Sequence, residues 1–255
     1  MYEGNNTVIT VGGHRHALRS QFGLSTFTSV PTIGYFGIGI GGMMDNPNVE
    51  SNQLFLPKKP SEKNVMLYEP VPVYMIEKNN DLLPEDLGEY RNRTEITING
   101  VEYYAYWLKK IKMFENDVKL YSFNVAQGVK EEYNLDTVNP AGNADNTNSI
   151  IATASFECRL TGTELQNTYW KYIPELIKNK KDLNLPIPDI RISELGVFCG
   201  SETFTETGDP APNVDGMELV MHRCMYGLDL TAKTDVLKEN IDLEQSGNIL
   251  LTQAN

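Results

Sequence analysis

The twelve residues from Pro31 to Gly42, Pro-Thr-Ile-Gly-Tyr-Phe-Gly-Ile-Gly-Ile-Gly-Gly, constrain the fold of this chain more than any other stretch. An apolar run bounded by Pro and paired glycines reads as a buried strand, because β-branched and aromatic side chains pack on a pleated surface while Gly and Pro punctuate its ends. Alternate glycines inside a strand leave room for a second backbone to come close. Gly37, Gly39 and Gly42 also spell G-x-G-x-x-G, the spacing of a dinucleotide-binding turn. Such a turn opens a helix whose N-terminus meets the pyrophosphate, with an acidic ribose ligand about twenty residues on. Met43-Met44-Asp45-Asn46-Pro47-Asn48 supplies no such helix. The stretch therefore reads as a structural strand, and a nucleotide-binding enzyme built on Gly37 to Gly42 is the weaker alternative.

The 255 residues suffice for a sizeable core, and a single β-rich domain is expected across them. With 34 acidic against 22 basic residues and a net charge of -12, the surface is unsuited to gripping phosphates, so sequence-specific nucleic-acid binding is not expected. No apolar run approaches the length of about eighteen residues that spans a membrane. The N-terminus lacks the basic start and apolar core of a signal peptide, so synthesis and residence in a cytoplasm are expected.

Chemistry-bearing residues are scattered. Cys158, Cys199 and Cys224 form no C-x-x-C pair and read as buried free thiols. His14 and His16 have no further ligand nearby in sequence. Glu202, Glu206, Asp209 and Asp215 lack calcium-loop spacing and read as solvated acids. His222 and Cys224 share one face of a strand, with no orienting acid identifiable, so His222 reads as a packed histidine. No catalytic residue, metal or cofactor is assigned.

Patterning along the chain predicts an α+β fold: a mainly antiparallel β-sheet core, one principal helix at about 162–180, and long extended arms or loops. Gly13 to Phe22 reads as about two helical turns carrying Arg15 and Arg19. The Met43 to Lys63 tract reads as an irregular arm. Leu67 to Ile76 alternates apolar residues, but Pro70 and Pro72 remove ladder donors, so it reads as an edge strand or a strap suited to inter-subunit contact. Together these place an arm near 43–76 and another near 127–149. Asn99-Gly100 supplies the two positive φ angles of a tight hairpin joining Arg91–Ile98 to Val101–Lys112. Its second strand, Tyr103-Tyr104-Ala105-Tyr106-Trp107, is apolar on both faces and reads as covered on both sides. Val118 to Ala126, Ile150 to Leu160, Ile190 to Cys199 and Leu219 to Leu230 read as further strands, with Glu157 on a wet face. Thr161 and Glu164 form a capping box ahead of the principal helix, which Pro174 should kink. A tail from about 232 reads as a short helix followed by a small strand at Ile249 to Thr252. Ile190 to Gly200 ends like the glycine strand, and the two are expected in one sheet.

Several separated pieces, taken in series, resemble a family of structural proteins in the virions of tailed bacteriophages. They are Gly12-Gly13-His14 with Phe22-Gly23, Tyr35 to Gly42, Tyr68-Glu69-Pro70-Val71-Pro72, Leu87 to Arg93, Tyr103 to Lys110, and Ile192 to Ser201. The strap after Val71 departs from the His- and Phe-containing form of that family. The resemblance implies a virion component without catalysis, made in the bacterial host cytoplasm. Its expected partners are copies of itself in a ring or other homo-oligomer, together with neck, tail or portal proteins. The candidate assembly residues are Gly37, Gly39, Tyr68, Pro70, Pro72, Tyr74, Tyr104, Tyr106 and Trp107.

Overall fold

The computed structural model describes residues 7–22, 32–48, 55–80, 88–124, 128–132, 148–162, 164, 191–203, 212–227 and 235–247. In chain order the strands are β1 (Thr7–Ile9), β2 (Thr32–Gly39), β3 (Met43–Asp45), β4 (Phe55–Pro57), β5 (Pro70–Val71), β6 (Tyr74–Glu77), β7 (Tyr90–Ile98), β8 (Val101–Lys110), β9 (Lys112–Asn124), β10 (Val129–Glu132), β11 (Asn148–Thr161), β12 (Glu194–Thr203), β13 (Asn213–Cys224) and β14 (Asp235–Gly247). One helix of length, α1 (Val11–Phe22), accompanies them among the described residues. The fold is thus α+β and mainly antiparallel. By its internal contacts the chain divides into two compact units, Met1–Ile111 with Arg159–Leu237 and Lys112–Cys158 with Lys238–Asn255.

The larger unit is built on an eight-stranded sheet in the order β1-β13-β12-β2-β8-β6, with β5 on β2 and β7 on β8. The glycine strand β2 does pair with β12, from Gly39 opposite Glu194 to Thr32 opposite Gly200. On its other edge β2 forks. Tyr35 and Phe36 pair with Lys110 and Lys109 of β8, whereas Ile38 and Gly39 pair with Val71 and Pro70 of β5. The strap fills this fork within its own chain. It leaves β2 after Val71 and joins β8 at Tyr74 opposite Tyr106, with Val73 N–H bonded to Tyr106 O at 2.8 Å. Pro72 falls at the step between the two short strands, where no ladder donor is needed. Val71, Val73 and Met75 are buried along it, so this stretch is core packing in the chain's own sheet.

The β7–β8 hairpin forms as the Asn-Gly turn requires, with Asn99 at φ 51° and Gly100 at φ 83°. A second non-glycine residue of positive φ, Asn92 at 56°, turns its side chain so that Oδ1 accepts the Val214 N–H at 2.7 Å, linking β7 to β13. The core includes Tyr35, Leu67, Leu108, Phe198, Val214 and Leu219 on one side and Met75, Ile98, Tyr103 and Ala105 on another. Strand β8 contributes to both, as its two apolar faces predict.

Thr10 begins α1: its Oγ1 accepts the Gly13 N–H at 3.3 Å, and its own N–H bonds to Val220 O at 2.9 Å. Arg15 reaches Glu218 with two nitrogens, at 2.6 and 3.2 Å. The Met43 to Lys63 tract is less irregular than expected, because β3 and β4 pair from Met43 opposite Pro57 to Asp45 opposite Phe55. The capping box at Thr161 and Glu164 is present, with the Thr161 N–H donating to Glu164 Oε2 at 2.7 Å and the Glu164 N–H to Thr161 Oγ1 at 3.3 Å. The rest of the expected helix, 165–180, lies outside the described residues, as does the small strand at 249–252.

The smaller unit holds a four-stranded sheet in the order β10-β9-β11-β14. Strands β9 and β11 pair from Asn124 opposite Asn148 to Lys112 opposite Glu157, with a bulge between Ala154 and Phe156. Two expectations are corrected here. The tail from about 232 forms strand β14 and not a short helix, because an adjacent strand edge supplies ladder partners that override weak local helix preference. Glu157 is buried, not wet, and its ladder partner is the oppositely charged Lys112.

Candidate functional site

Glu194, the first residue of β12, stands in register between Gly39 of β2 and Cys224 of β13. Its side chain is completely buried and passes over the glycine turn that follows β2. The absent side chains make that passage. A Cβ on Gly39 would run into the Glu194 carboxylate and lie 2.7 Å from Glu69 O, and one on Gly41 would lie 2.9 Å from Glu69 Cβ. Oε2 of Glu194 accepts the Gly41 and Glu69 N–H groups, both at 3.0 Å. Oε1 accepts the Tyr68 N–H at 2.8 Å and lies 3.0 Å from His222 Nε2. Burial acts to raise the acid's pKa, but the bonds from His222, Glu69, Tyr68 and Gly41 outweigh it and hold the group below its ordinary value. The anion held by this turn is the chain's own carboxylate.

His222 is oriented from both ends. Asn64 Nδ2 lies 2.8 Å from Nδ1; with the amide donating there, the ring carries its proton on Nε2 and donates it to Glu194. Tyr68 packs on the imidazole with ring centroids 4.9 Å apart. Lys58 Nζ lies 5.0 Å from the Tyr68 ring centre and donates to Gly41 O at 2.6 Å. The carboxylate and the ammonium supply one charge of each sign to the cluster.

Cys224 Sγ lies 3.8 Å from the same Nε2 that serves Glu194. Burial first, and the Glu194 charge second, push its thiol up to about 12, which keeps it protonated and unreactive. A nucleophile needs a base with a free lone pair facing it, and here that nitrogen is committed to the acid. Glu194, His222 and Cys224 bring one donor atom each within 4.8 Å of one another, as a metal site would. Yet both Glu194 oxygens already accept two N–H groups each, which uses the acceptor capacity a metal would need. The arrangement is a closed polar joint between β12, β13, the glycine turn and the strap.

Two more carboxylates act in the same manner. Glu202 Oε1 accepts from Tyr35 Oη at 2.9 Å, Arg91 Nη2 at 2.9 Å and Lys110 Nζ at 3.1 Å. Burial opposes ionisation of Glu202, but these three donors outweigh it and lower its pKa. Glu164 accepts from Lys109 Nζ and, at 2.6 Å, from Tyr90 Oη. Its pKa is likewise lowered against the effect of burial, by Lys109 first, then Tyr90 and the Thr161 amide. Tyr90 in turn stacks on Tyr74 of the strap at 5.1 Å and tilts against Tyr106 at 5.6 Å, so strap and hairpin aromatics pack on one another.

A cavity of about 450 Å³ opens beside the strap, lined by Leu108, Phe198, Val214 and Met217 together with Met66 and Leu67. Of the candidate assembly residues, Gly37, Gly39, Pro72 and Tyr106 are buried in the chain's own sheet, and Pro70, Tyr74, Tyr104 and Trp107 are partly covered. Gly37, Pro70 and Trp107 line the cavity. Only Tyr68 of the set is exposed, at 42 %, next to Met66 at 43 % and Val65 at 79 %. Sequence reasoning missed Glu194 as the partner of His222. The pairing depends on strand register across 28 residues of sequence, and no local pattern encodes it.

The fold and this site define a mainly antiparallel β protein whose buried acids join strands. Residues 20–169 match a family described as a family of unknown function, DUF7208, and the chain belongs to that family. Neither the curated proteins nor the solved structures yield a match. No described helix is long and apolar enough to cross a membrane.

Proposed function

We propose that this chain is a non-enzymatic structural protein of a tailed-bacteriophage virion, a ring-forming or connector component of the head-to-tail neck or tail that assembles in many copies. The virion setting rests on the sequence resemblance carried by the glycine strand, the strap, the hairpin and β12. One structural observation supports the non-enzymatic reading: the acid, imidazole and thiol that sit together are used up by bonds within the chain. The turn whose glycine spacing matches a phosphate loop holds Glu194 instead. Exposed apolar residues Val65, Met66 and Tyr68 give copies of the chain a surface on which to associate, and head-to-tail contacts of this kind close into rings when the rotation permits.

Mass photometry of the purified protein and of gently disrupted particles tests this reading. Multimers, and co-migration with neck or tail proteins, are expected. A strict monomer that binds none of them would count against it. Association with collar, fibre or baseplate proteins alone would move the protein to that part of the particle. Saturable thermal stabilisation by ATP or NAD would favour the nucleotide-binding enzyme.

A further inference from the structure

We propose that residues 61–69 form a lid over the 450 Å³ cavity, hinged at Pro70 and latched by Glu194. Two halves of the strap are attached by different physics. From Val71 onward it is held by ladder pairing to β2 and β8 and by the buried side chains of Val71, Val73 and Met75. Before Pro70 its buried apolar anchor is Leu67, with the partly exposed Tyr68 ring resting on His222. Ser61, Glu62, Lys63, Val65, Met66 and Tyr68 are exposed, and Asn64 and Glu69 are partly so.

Polar bonds do most of the holding in this first half, and they converge on one place. The Tyr68 and Glu69 amides bond to the Glu194 carboxylate, and Asn64 bonds to His222, which itself bonds to Glu194. Two backbone bonds add to the attachment, from Val11 N–H to Glu62 O at 2.7 Å and from Ile40 N–H to Glu69 O at 2.9 Å, and Lys58 Nζ lies over the Tyr68 ring. Segments with few buried apolar contacts and localised hydrogen bonds open at lower free energy than the sheets they lie on.

What the lid covers gives the opening a consequence. Met66, Leu67 and Pro70 form one wall of the cavity, and Leu67 packs in the cluster that holds Leu108, Phe198 and Val214. Lifting 61–69 withdraws Met66 and Leu67 from that wall and lays bare these three side chains while Pro70 and the ladders of β2, β8 and β12 stay in place.

Native-state hydrogen exchange on the full chain reads the opening directly. The Tyr68 and Glu69 amides are expected to exchange at least about tenfold faster than the amides of the β2–β12 ladder, with little dependence on low denaturant. The Gly41 amide bonds to the same carboxylate from the other side of the latch and is expected to stay slow, which separates lid opening from movement of Glu194 itself. Exchange of Tyr68 and Glu69 in step with the β2–β12 ladder, at the same denaturant dependence, would overturn the proposal. Asn64→Ala leaves the apolar core untouched and is expected to accelerate Tyr68 and Glu69 alone; equal acceleration of the ladder, or none at Tyr68 and Glu69, would also overturn it.

Discussion

Glu194 Oε2 and the amide of Gly41 lie 3.0 Å apart across 153 residues of sequence. This bond turns an anion-holding glycine turn into an internal joint. The carboxylate meets four N–H groups, from Gly41, Tyr68, Glu69 and His222, and a buried charge so matched is costly to disturb.

Glu194→Gln replaces an acceptor with an amide whose NH₂ faces N–H donors. We expect a loss of about 3 kcal/mol from the larger unit, measured as a shift of the urea midpoint followed by a probe in that unit. An unchanged midpoint would exclude the joint.

Acid should weaken the fold. Glu164, Glu194 and Glu202 have folded-state pKa values below the ordinary 4.5, so the stability they contribute is present above that value and lost as pH falls through the folded-state values. Denaturation midpoints between pH 7 and pH 3 are expected to be level at first and to fall below about 4.5. The fall should be shallower in Glu194→Gln, since one of the three groups is gone.

Two glycines of the same strand should respond differently to alanine. A Cβ on Gly39 would lie 2.7 Å from Glu69 O and collide with the Glu194 carboxylate, whereas one on Gly37 would find its nearest neighbours, Leu108, Phe198 and Trp107, at 3.3 Å. Gly39→Ala is expected to cost about 1–3 kcal/mol by overpacking, and Gly37→Ala less. Equal costs in thermal melts would show that the turn does not need Gly39 for the passage of Glu194.

At the hairpin tip strain acts without packing. Gly100 has φ 83°, and a Cβ added there would meet nothing within 4 Å, so Gly100→Ala is expected to destabilise by about 1 kcal/mol through backbone conformation alone. Chemical denaturation measures it.

The three cysteines are buried and lie outside any disulfide, and burial pushes the Cys199 and Cys224 thiols up to about 11 and about 12. The native protein at pH 8 is expected to react slowly with a thiol-specific disulfide reagent and to release three equivalents only when unfolded. Rapid reaction of one equivalent in the native state would mean that a thiol is reachable.

Much of the fold was legible because its signals are local. Asn99-Gly100 dictates a hairpin through two positive φ angles, and Thr161 with Glu164 announces a cap within four residues. Pro72 rules out a continuous central strand, and the structure puts it at the step between two short ones. The glycine strand was also read correctly as a place of close backbone approach, since Gly39 and Gly41 admit Glu69 and Glu194.

The partners in these approaches were not legible. Glu194 looks like any acid at the start of a strand, and His222 looks like any packed histidine. They meet only because β12 and β13 pair in a register that sets Glu194 opposite Cys224 while the strap returns over the turn. The tail shows the same limit: its local pattern reads as helix, and pairing next to β11 makes it β14. By itself the sequence determined the turns, the caps and the strand-forming periodicity, because those follow from the conformational preferences of neighbouring residues. Tertiary structure decided which anion the glycine turn holds, because a buried carboxylate is stable only where distant N–H groups converge on it.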